Sequence, residues 1–153
     1  MAGRVLSGAE VLALVPQQEP FRFIDEILEI GDEGVRSTYR FRPDHDFYRG
    51  HFPARPITPG VILIEAMAQA GVVAHGIWLL AKDLGPEALA KVLTIFAEAN
   101  VEFTGPVLPG DRVVVQSKKV FFRRRKLRAE VQMSREDGTV VCAGTLAGMG
   151  IES

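Results

Sequence analysis

This sequence has a single cysteine and a net charge close to zero. Its 153 residues include one cysteine, Cys142, so no disulfide forms within the chain, and such usage is typical of a reducing compartment. The formal net charge is -1, which gives the chain as a whole no attraction for nucleic acid. The histidines and the cysteine show no metal-ligand spacing, and no glycine-rich nucleotide loop follows a predicted strand. We therefore expect neither a bound metal nor a cofactor.

Signals for export and for a second domain are also lacking. Residues 1–16 contain no uninterrupted apolar core of the kind found in signal peptides, which predicts a cytoplasmic protein. A chain of 153 residues is long enough for one packed core but short for two. Because no repeat, low-complexity tract or linker interrupts it, we predict a single domain over residues 1–153.

One long run of the chain is almost free of charge. Residues 57–81 contain Glu65 as their only charged side chain, and this length is enough to suggest a membrane span. The run opens at Pro59 and also contains Gln69 and His75, polar groups that a lipid-facing helix tolerates only with a partner. A helix surrounded by protein explains the same composition. We therefore predict a buried core helix that begins near Pro59, and no membrane span.

Strand patterns surround this predicted helix. A capping box at Ser7 predicts a short helix over residues 7–14, and residues 43–58, with three prolines, are predicted to be irregular. Apolar alternation between turn signals predicts strands over residues 21–30, 35–41, 93–103, 111–122, 126–134 and 139–149. One helix with five or six strands predicts an α+β fold in which an antiparallel sheet curls around the helix. Since so small a sheet exposes an edge, we expect a dimer that covers it.

Two titratable side chains carry the strongest functional signal. Glu65 lies inside the apolar run, where a buried carboxylate costs several kcal/mol unless it is paired, hydrogen-bonded or protonated. His51 precedes it by 14 residues, in the segment GHFPARP. At one apolar cavity, such a pair would act as acid and base with pKa values near neutrality. The structural alternatives are a carboxylate that caps nearby backbone and a loop histidine satisfied by its neighbours.

Three segments of the chain form a recognisable set: GHFPARPITPGVILIEAMAQAG, PFRFIDEIL and NVEFTGPVLPGDRVVV. Together they resemble the 3-hydroxyacyl-(acyl-carrier-protein) dehydratases of the FabZ type, over roughly residues 14–149. The resemblance implies a hot-dog fold, an antiparallel sheet wrapped around one long helix, in homodimers that often form hexamers. It also implies a lyase that needs no cofactor. Such an enzyme removes water from 3-hydroxyacyl thioesters on acyl carrier protein, giving trans-2-enoyl thioesters in fatty-acid or related biosynthesis.

The resemblance also implies roles for individual residues. His51 is expected to abstract the C2 proton and Glu65 to protonate the leaving C3 hydroxyl, with His51 of one subunit near Glu65 of its neighbour. The Gly60 N–H, at the start of the helix, is expected to bind the thioester oxygen. Gln69, one turn after Glu65, is expected to fix the carboxyl rotamer, and Phe52 to shape the loop beside His51.

Two short segments depart from the family's usual pattern. Gln17-Gln18-Glu19 replaces a usual His-Arg pair before the first Pro-Phe, and Asp25-Glu26 replaces a usual Asp-Arg pair. Neither change touches His51 or Glu65. We therefore expect the chemistry to be retained, while the acyl chain and the pathway stay open.

Basic residues are concentrated in one segment. Seven of the 18 Lys and Arg lie between positions 118 and 128, which by itself is typical of a solvated strand face. A nucleic-acid site is disfavoured by the net charge of -1 and by the lack of a binding motif. The family's partner, acyl carrier protein, is acidic, and a basic rim would speed its encounter. The residues expected to contact it are Arg123, Arg124, Arg125 and Lys126.

Three other functions remain open at this point. An acyl thioesterase of the same fold would need a carboxylate but not His51. A dehydratase that also isomerises the double bond usually has Asp at the position of Glu65. A non-catalytic acyl-binding or partner subunit would have no reason to keep both side chains.

Overall fold

A long helix forms the centre of the fold. In the computed structural model, which describes residues 3–152, helix α2 spans Gly60–Ala81. Its middle, Gln69–Ala74, is π-helical and lies between the α-helical segments Gly60–Ala68 and His75–Ala81. The helix is long and apolar enough to cross a membrane, but 67% of its most apolar window is buried by the rest of the fold. This burial is that of a core helix.

Six antiparallel strands wrap around α2. They are β1 (Glu26–Ile30), β2 (Val35–Arg40), β3 (Val92–Phe103), β4 (Arg112–Arg123), β5 (Lys126–Arg135) and β6 (Val140–Glu152). Their order across the sheet is β1-β2-β4-β5-β6-β3. Two short helices, α1 (Gly8–Leu14) and α3 (Pro86–Ala90), and a 3-10 turn (Asp46–Arg49) complete the structure. The predicted α+β arrangement of a sheet around one helix is confirmed.

The sheet packs on α2 through one face of its strands. On β5 the buried side chains are those of the predicted apolar face, Leu127, Ala129, Val131 and Met133. Two glycines allow the close approach: a Cβ at Gly71 would lie 2.9 Å from Val131, and a Cβ at Gly148 would lie 2.4 Å from Val72. Larger residues at these positions would push the helix off the sheet.

Helix α1 begins as its sequence predicts. Ser7 Oγ accepts from the Glu10 N–H at 3.2 Å, and Glu10 Oε1 accepts from the Ser7 N–H at 2.9 Å. This reciprocal pair is a capping box, and it satisfies two backbone donors that the first turn would otherwise leave unpaired.

The first strand is shorter than predicted. It begins at Glu26, so the first part of the predicted strand 21–30 lies outside the sheet. The backbone there binds α2 instead: Gln69 Oε1 accepts from the Phe23 N–H, and Gln69 Nε2 donates to the Phe21 carbonyl. The apolar residues that indicated a strand serve the core in another way, since Phe23 is 1% exposed.

Smaller differences occur elsewhere. The 3-10 turn Asp46–Arg49 lies within the segment predicted to be irregular. Pro86 opens α3 as its first residue, where its missing N–H is not needed. Strand β6 continues to Glu152, three residues beyond the predicted end.

Strand β3 forms an open edge of the sheet. It pairs with β6 on one side, and no other strand within residues 3–152 pairs with its second side. Several of its large apolar side chains are exposed: Leu93, Ile95, Phe96 and Phe103. A long apolar edge of this kind requires cover in solution.

Candidate active site

Glu65 lies in the first half of α2, in a small and largely apolar pocket. The pocket has a volume of about 200 Å³ and is lined by Gln17, Phe21, Glu65, Ala68, Val72, Val73, Thr94, Ile95 and Phe96. Burial raises the pKa of the Glu65 carboxyl, while the hydrogen bond from Gln69 acts in the opposite direction. A carboxyl with a raised pKa keeps its proton closer to neutral pH, as a general acid must.

Gln69 fixes the Glu65 carboxyl in place. Gln69 is fully buried, and its Nε2 donates to Glu65 Oε2 at 2.9 Å and to the Phe21 carbonyl at 2.8 Å. Its Oε1 accepts from the Phe23 N–H at 2.7 Å, so the three partners also define which end of the amide is oxygen. The predicted hydrogen bond to Glu65 is therefore present. Within residues 3–152, Glu65 Oε1 has no hydrogen bond.

His51 lies in the loop before α2, and backbone hydrogen bonds of His51 close this loop. The Ile57 N–H donates to the His51 carbonyl at 2.9 Å, and the His51 N–H donates to the Phe47 carbonyl at 3.1 Å. The peptide bond between His51 and Phe52 is cis, and their rings stack with centroids 4.2 Å apart. Phe52 thus covers one face of the imidazole while remaining half exposed.

The hydrogen bond of the His51 ring defines its tautomer. Nδ1 lies 2.8 Å from the Ile57 carbonyl oxygen, which can only accept, so Nδ1 carries the proton. In the neutral ring, Nε2 is then left with a lone pair. An imidazole held in this way is prepared to take a proton at Nε2.

A partly buried polar network supports the segment that leads to His51. Arg42 donates to the Tyr39 hydroxyl at 2.8 Å, and that hydroxyl lies 2.6 Å from His45 Nε2. Burial raises the pKa of Tyr39 to about 12 and lowers that of His45, so the phenol donates its proton to a neutral imidazole. The His45 ring stacks on Phe47, whose carbonyl holds the His51 N–H. The sequence gives no signal for this link, because it depends on contacts between distant elements.

Gly60 is the first residue of α2. Its N–H has no acceptor among the described residues, and it stands at the positive end of the helix dipole. A Cβ at this position would lie 3.1 Å from the Phe103 ring. Glycine therefore allows the Phe103 ring to pack closely against the start of α2.

The structure joins some of the predicted site residues and leaves others apart. Gln69 contacts Glu65, and Phe52 contacts His51. No hydrogen bond within residues 3–152 joins His51 to Glu65, and His51 does not line the Glu65 pocket. The expectation that His51 faces Glu65 of a neighbouring subunit stays a prediction.

His75, one of the polar residues of the predicted core helix, is fully buried. Its Nε2 donates to the Gly31 carbonyl at 2.7 Å, and its Nδ1 has no partner among the described residues. Burial lowers its pKa, so the ring is neutral in the folded protein. It anchors α2 to the turn between β1 and β2.

The basic segment forms the hairpin turn between β4 and β5. Arg124 and Arg125 occupy the turn with φ of 52° and 61°. Arg125 pairs with Glu152 at 3.1 Å, and Lys126 pairs with Glu98 at 3.1 Å. Arg128 also bonds Glu98, so acidic neighbours offset much of the positive charge.

Two arginines of this turn remain exposed. The Arg123 guanidinium lies over the Phe121 ring at 4.3 Å, and Arg124 has no ion pair with a described residue. They are the members of the predicted contact set that are best able to meet an acidic partner. That role stays a prediction.

Comparison with known proteins identifies the family. Residues 15–147 match the model of the FabA-like domain. The chain belongs to the FabA-like family. One relative, the 3-hydroxyacyl-(acyl-carrier-protein) dehydratase FabZ of Paramagnetospirillum magneticum, is 31% identical over 150 residues, which cover 96% of this chain and 88% of the relative. The enzyme of the same name from Roseiflexus castenholzii is 38% identical over 146 residues, covering 93% and 94%. The resemblance drawn from the three sequence segments is confirmed.

Solved dehydratase and thioesterase structures share the fold. The dehydratase heterocomplex ApeI:P from Xenorhabdus doucetiae has a TM-score of 0.72 at 20% identity, over 98% of this chain and 94% of that one. A thioesterase from Haemophilus influenzae has a TM-score of 0.68 at 15% identity, over 99% and 96%. At these identities the likeness concerns the fold alone, and the predicted hot-dog architecture is confirmed.

Proposed function

We propose that this protein is a hydro-lyase that dehydrates 3-hydroxyacyl thioesters carried on acyl carrier protein, as its FabZ relatives do in fatty-acid biosynthesis. Membership of the FabA-like family supports the reaction class. The observation that carries the proposal is the Glu65 carboxyl, which Gln69 holds in an apolar pocket with one oxygen free. A partly buried carboxyl with an unpaired oxygen costs free energy, so its retention in an apolar pocket favours a chemical role.

The proposed reaction needs one base and one acid. His51 Nε2 takes a proton from C2, and the electron pair of that C–H bond forms the C2–C3 double bond. The C3–O bond breaks as the Glu65 carboxyl gives its proton to the departing oxygen, which leaves as water. His51 then holds one proton and Glu65 lacks one, and transfer through solvent restores both before the next turnover.

Charge develops on the thioester oxygen when the C2 proton leaves. In this proposal the Gly60 N–H, at the start of α2 with the helix dipole behind it, binds that oxygen. Gln69 acts through Glu65 as a positioning residue, and Phe52 acts by fixing the plane of the His51 ring.

The proposed enzyme works as a dimer, and the open β3 edge supports this. Pairing of β3 with its copy would cover the exposed apolar side chains of that edge. The rim of the Glu65 pocket includes Ile95 and Phe96 of the same strand, so a partner chain at this edge would approach the pocket. His51 of that partner would then complete the acid–base pair. Assembly into a hexamer and a cytoplasmic location remain predictions.

The acyl carrier protein is proposed to approach the β4–β5 turn. Arg123 and Arg124 are exposed there and would attract an acidic surface. Electrostatic attraction of this kind raises the encounter rate more than the affinity.

A direct assay distinguishes this function from its rivals. A 3-hydroxybutyryl thioester should yield the enoyl thioester, detected by the absorbance of its conjugated carbonyl. A thioesterase would release free thiol, and a non-catalytic subunit would change neither signal. An isomerising enzyme would shift the double bond out of conjugation after it forms.

A further inference from the structure

Gln17 brings an amide group to the Glu65 pocket. Within the described lining of that pocket, the polar side chains are Gln17, Glu65 and Thr94, and all the others are apolar. Thr94 lies on the edge strand β3, whereas Gln17 lies in the segment between α1 and β1. The pocket is small, about 200 Å³, and both Gln17 and Glu65 line it.

The Gln17 side-chain amide has no hydrogen-bond partner within residues 3–152. Its Oε1 is shielded from solvent, and no described donor bonds it. The backbone around it is fixed, because Arg22 donates to the Gln17 carbonyl at 2.8 Å and to the Val15 carbonyl at 2.7 Å. A shielded amide oxygen without a donor costs free energy of folding, and such groups are rare in native proteins. An ordered segment thus holds an unsatisfied amide beside the proposed acid.

The chemistry of the pocket indicates what this amide binds. In a 3-hydroxyacyl thioester the polar group nearest to Glu65 is the C3 hydroxyl, which is one donor and two acceptors. Glu65 uses one acceptor position when it gives its proton. The hydroxyl's own hydrogen is then left for a second partner, and an amide oxygen is a suitable acceptor.

We propose that Gln17 is a substrate-binding residue that recognises the C3 hydroxyl of the 3-hydroxyacyl chain and orients it toward Glu65. The proposal rests on the dehydratase function given above. Rotation about the last side-chain bond of Gln17 turns its oxygen from the shielded position into the pocket, where the hydroxyl donates to it. As the C3–O bond breaks, the departing water keeps this hydrogen bond. Gln17 thereby favours hydroxylated chains over saturated chains of the same length.

Gln17 belongs to the segment Gln17-Gln18-Glu19, which replaces the family's usual His-Arg pair. Gln17 alone of these three residues lines the pocket, while Gln18 is exposed and donates to the Val15 carbonyl. The change of residue type therefore falls on the one position of the segment that can meet the substrate.

Binding to an inactive protein tests the proposal. In the His51→Ala background, the dissociation constants of 3-hydroxybutyryl-pantetheine and butyryl-pantetheine are measured by calorimetry, with and without Gln17→Met. Met keeps nearly the length of Gln but lacks the amide. We expect the preference for the hydroxylated ligand to fall about fivefold to tenfold, as one neutral hydrogen bond of about 1 kcal/mol implies. Gln17→His, which retains an acceptor nitrogen, should keep most of the preference. Gln132→Met, an exposed glutamine of β5, should not change it.

Each outcome decides the question. An unchanged preference in Gln17→Met, or equal weakening of both ligands, would overturn the proposal and leave Gln17 with a purely structural role. Gln17→Ala replaces Gln17→Met if circular dichroism shows that the latter is unfolded. Dehydration by the otherwise unchanged protein is measured in parallel. Normal turnover with an unchanged preference defeats the Gln17 proposal alone, whereas absence of turnover defeats the proposed function and the role of Gln17 within it.

Discussion

Gln69→Met is the substitution that most sharply separates the stability of the fold from the chemistry of the site. Methionine fills nearly the same volume, so the packing of α2 changes little, but all three hydrogen bonds of the amide disappear. The Phe23 N–H and the Phe21 carbonyl are each left without a partner, at roughly 1–3 kcal/mol apiece. We therefore expect the free energy of unfolding to fall by about 2–6 kcal/mol, measured by urea denaturation at pH 7.

The same substitution should alter catalysis in a specific way. Glu65 loses the bond that fixes its rotamer, and misplacement of a reacting group by about 1 Å can cost about a hundredfold in rate. The Gln69 bond also lowers the pKa of Glu65, so its removal raises that pKa further. Because the acid form of Glu65 is the active one, the fall of activity at alkaline pH should move to higher pH.

The control is Gln132→Met, at an exposed position on β5, which should change neither stability nor the pH profile. A loss of stability below about 1 kcal/mol in Gln69→Met would refute the argument that two backbone groups depend on this amide. An unchanged rate and pH profile would refute its role in holding Glu65.

The remaining predictions concern assembly, carrier binding and pH. The variants His51→Ala and Glu65→Gln should each fold and lose most activity. Mixing the two variants should restore activity if each site takes one residue from each subunit. No recovery after verified subunit exchange would argue for sites within one chain. The double substitution Arg123→Glu and Arg124→Glu should raise KM for a carrier-bound substrate but not for a pantetheine thioester. The rise in KM should be smaller at high salt, because exposed charges are screened beyond about 10 Å at 0.1 M salt. Equal effects on both substrates would contradict carrier contact. Burial lowers the pKa of His75, so its contribution to stability is complete above the ordinary value near 6.5 and is lost as pH falls through the folded-state pKa. The unfolding free energy should therefore fall below about pH 6.5, by at most about 1.4 kcal/mol per pH unit, and His75→Gln should flatten this dependence; identical pH curves would disprove it.

Local sequence patterns were enough to predict most elements of this fold. Ser7 and Glu10 form the capping box that begins α1, and both partners lie within one turn of each other. Strand β5 buries every second residue, which is visible as plain alternation in the sequence. The apolar run around Glu65 similarly predicted the buried helix α2.

Features that depend on distant contacts could not be predicted. Residues 21–23 have the composition of a strand, but their backbone binds the Gln69 side chain. Gln69 lies 46 residues after Phe23 in the sequence. The charge of the basic turn is offset by Glu98 and Glu152, which belong to other strands. The shielded Oε1 of Gln17, which no donor within residues 3–152 bonds, likewise becomes apparent only once the chain is folded.

Mass spectrometry of the carrier-bound product tests the central claim most directly. A 3-hydroxyacyl chain on acyl carrier protein is incubated with the protein, and the mass of the intact acylated carrier is measured. The account predicts that the carrier loses one molecule of water while its thioester remains, and that neither His51→Ala nor Glu65→Gln gives this product. Release of the free acid, or no change in mass with the folded protein, would contradict it.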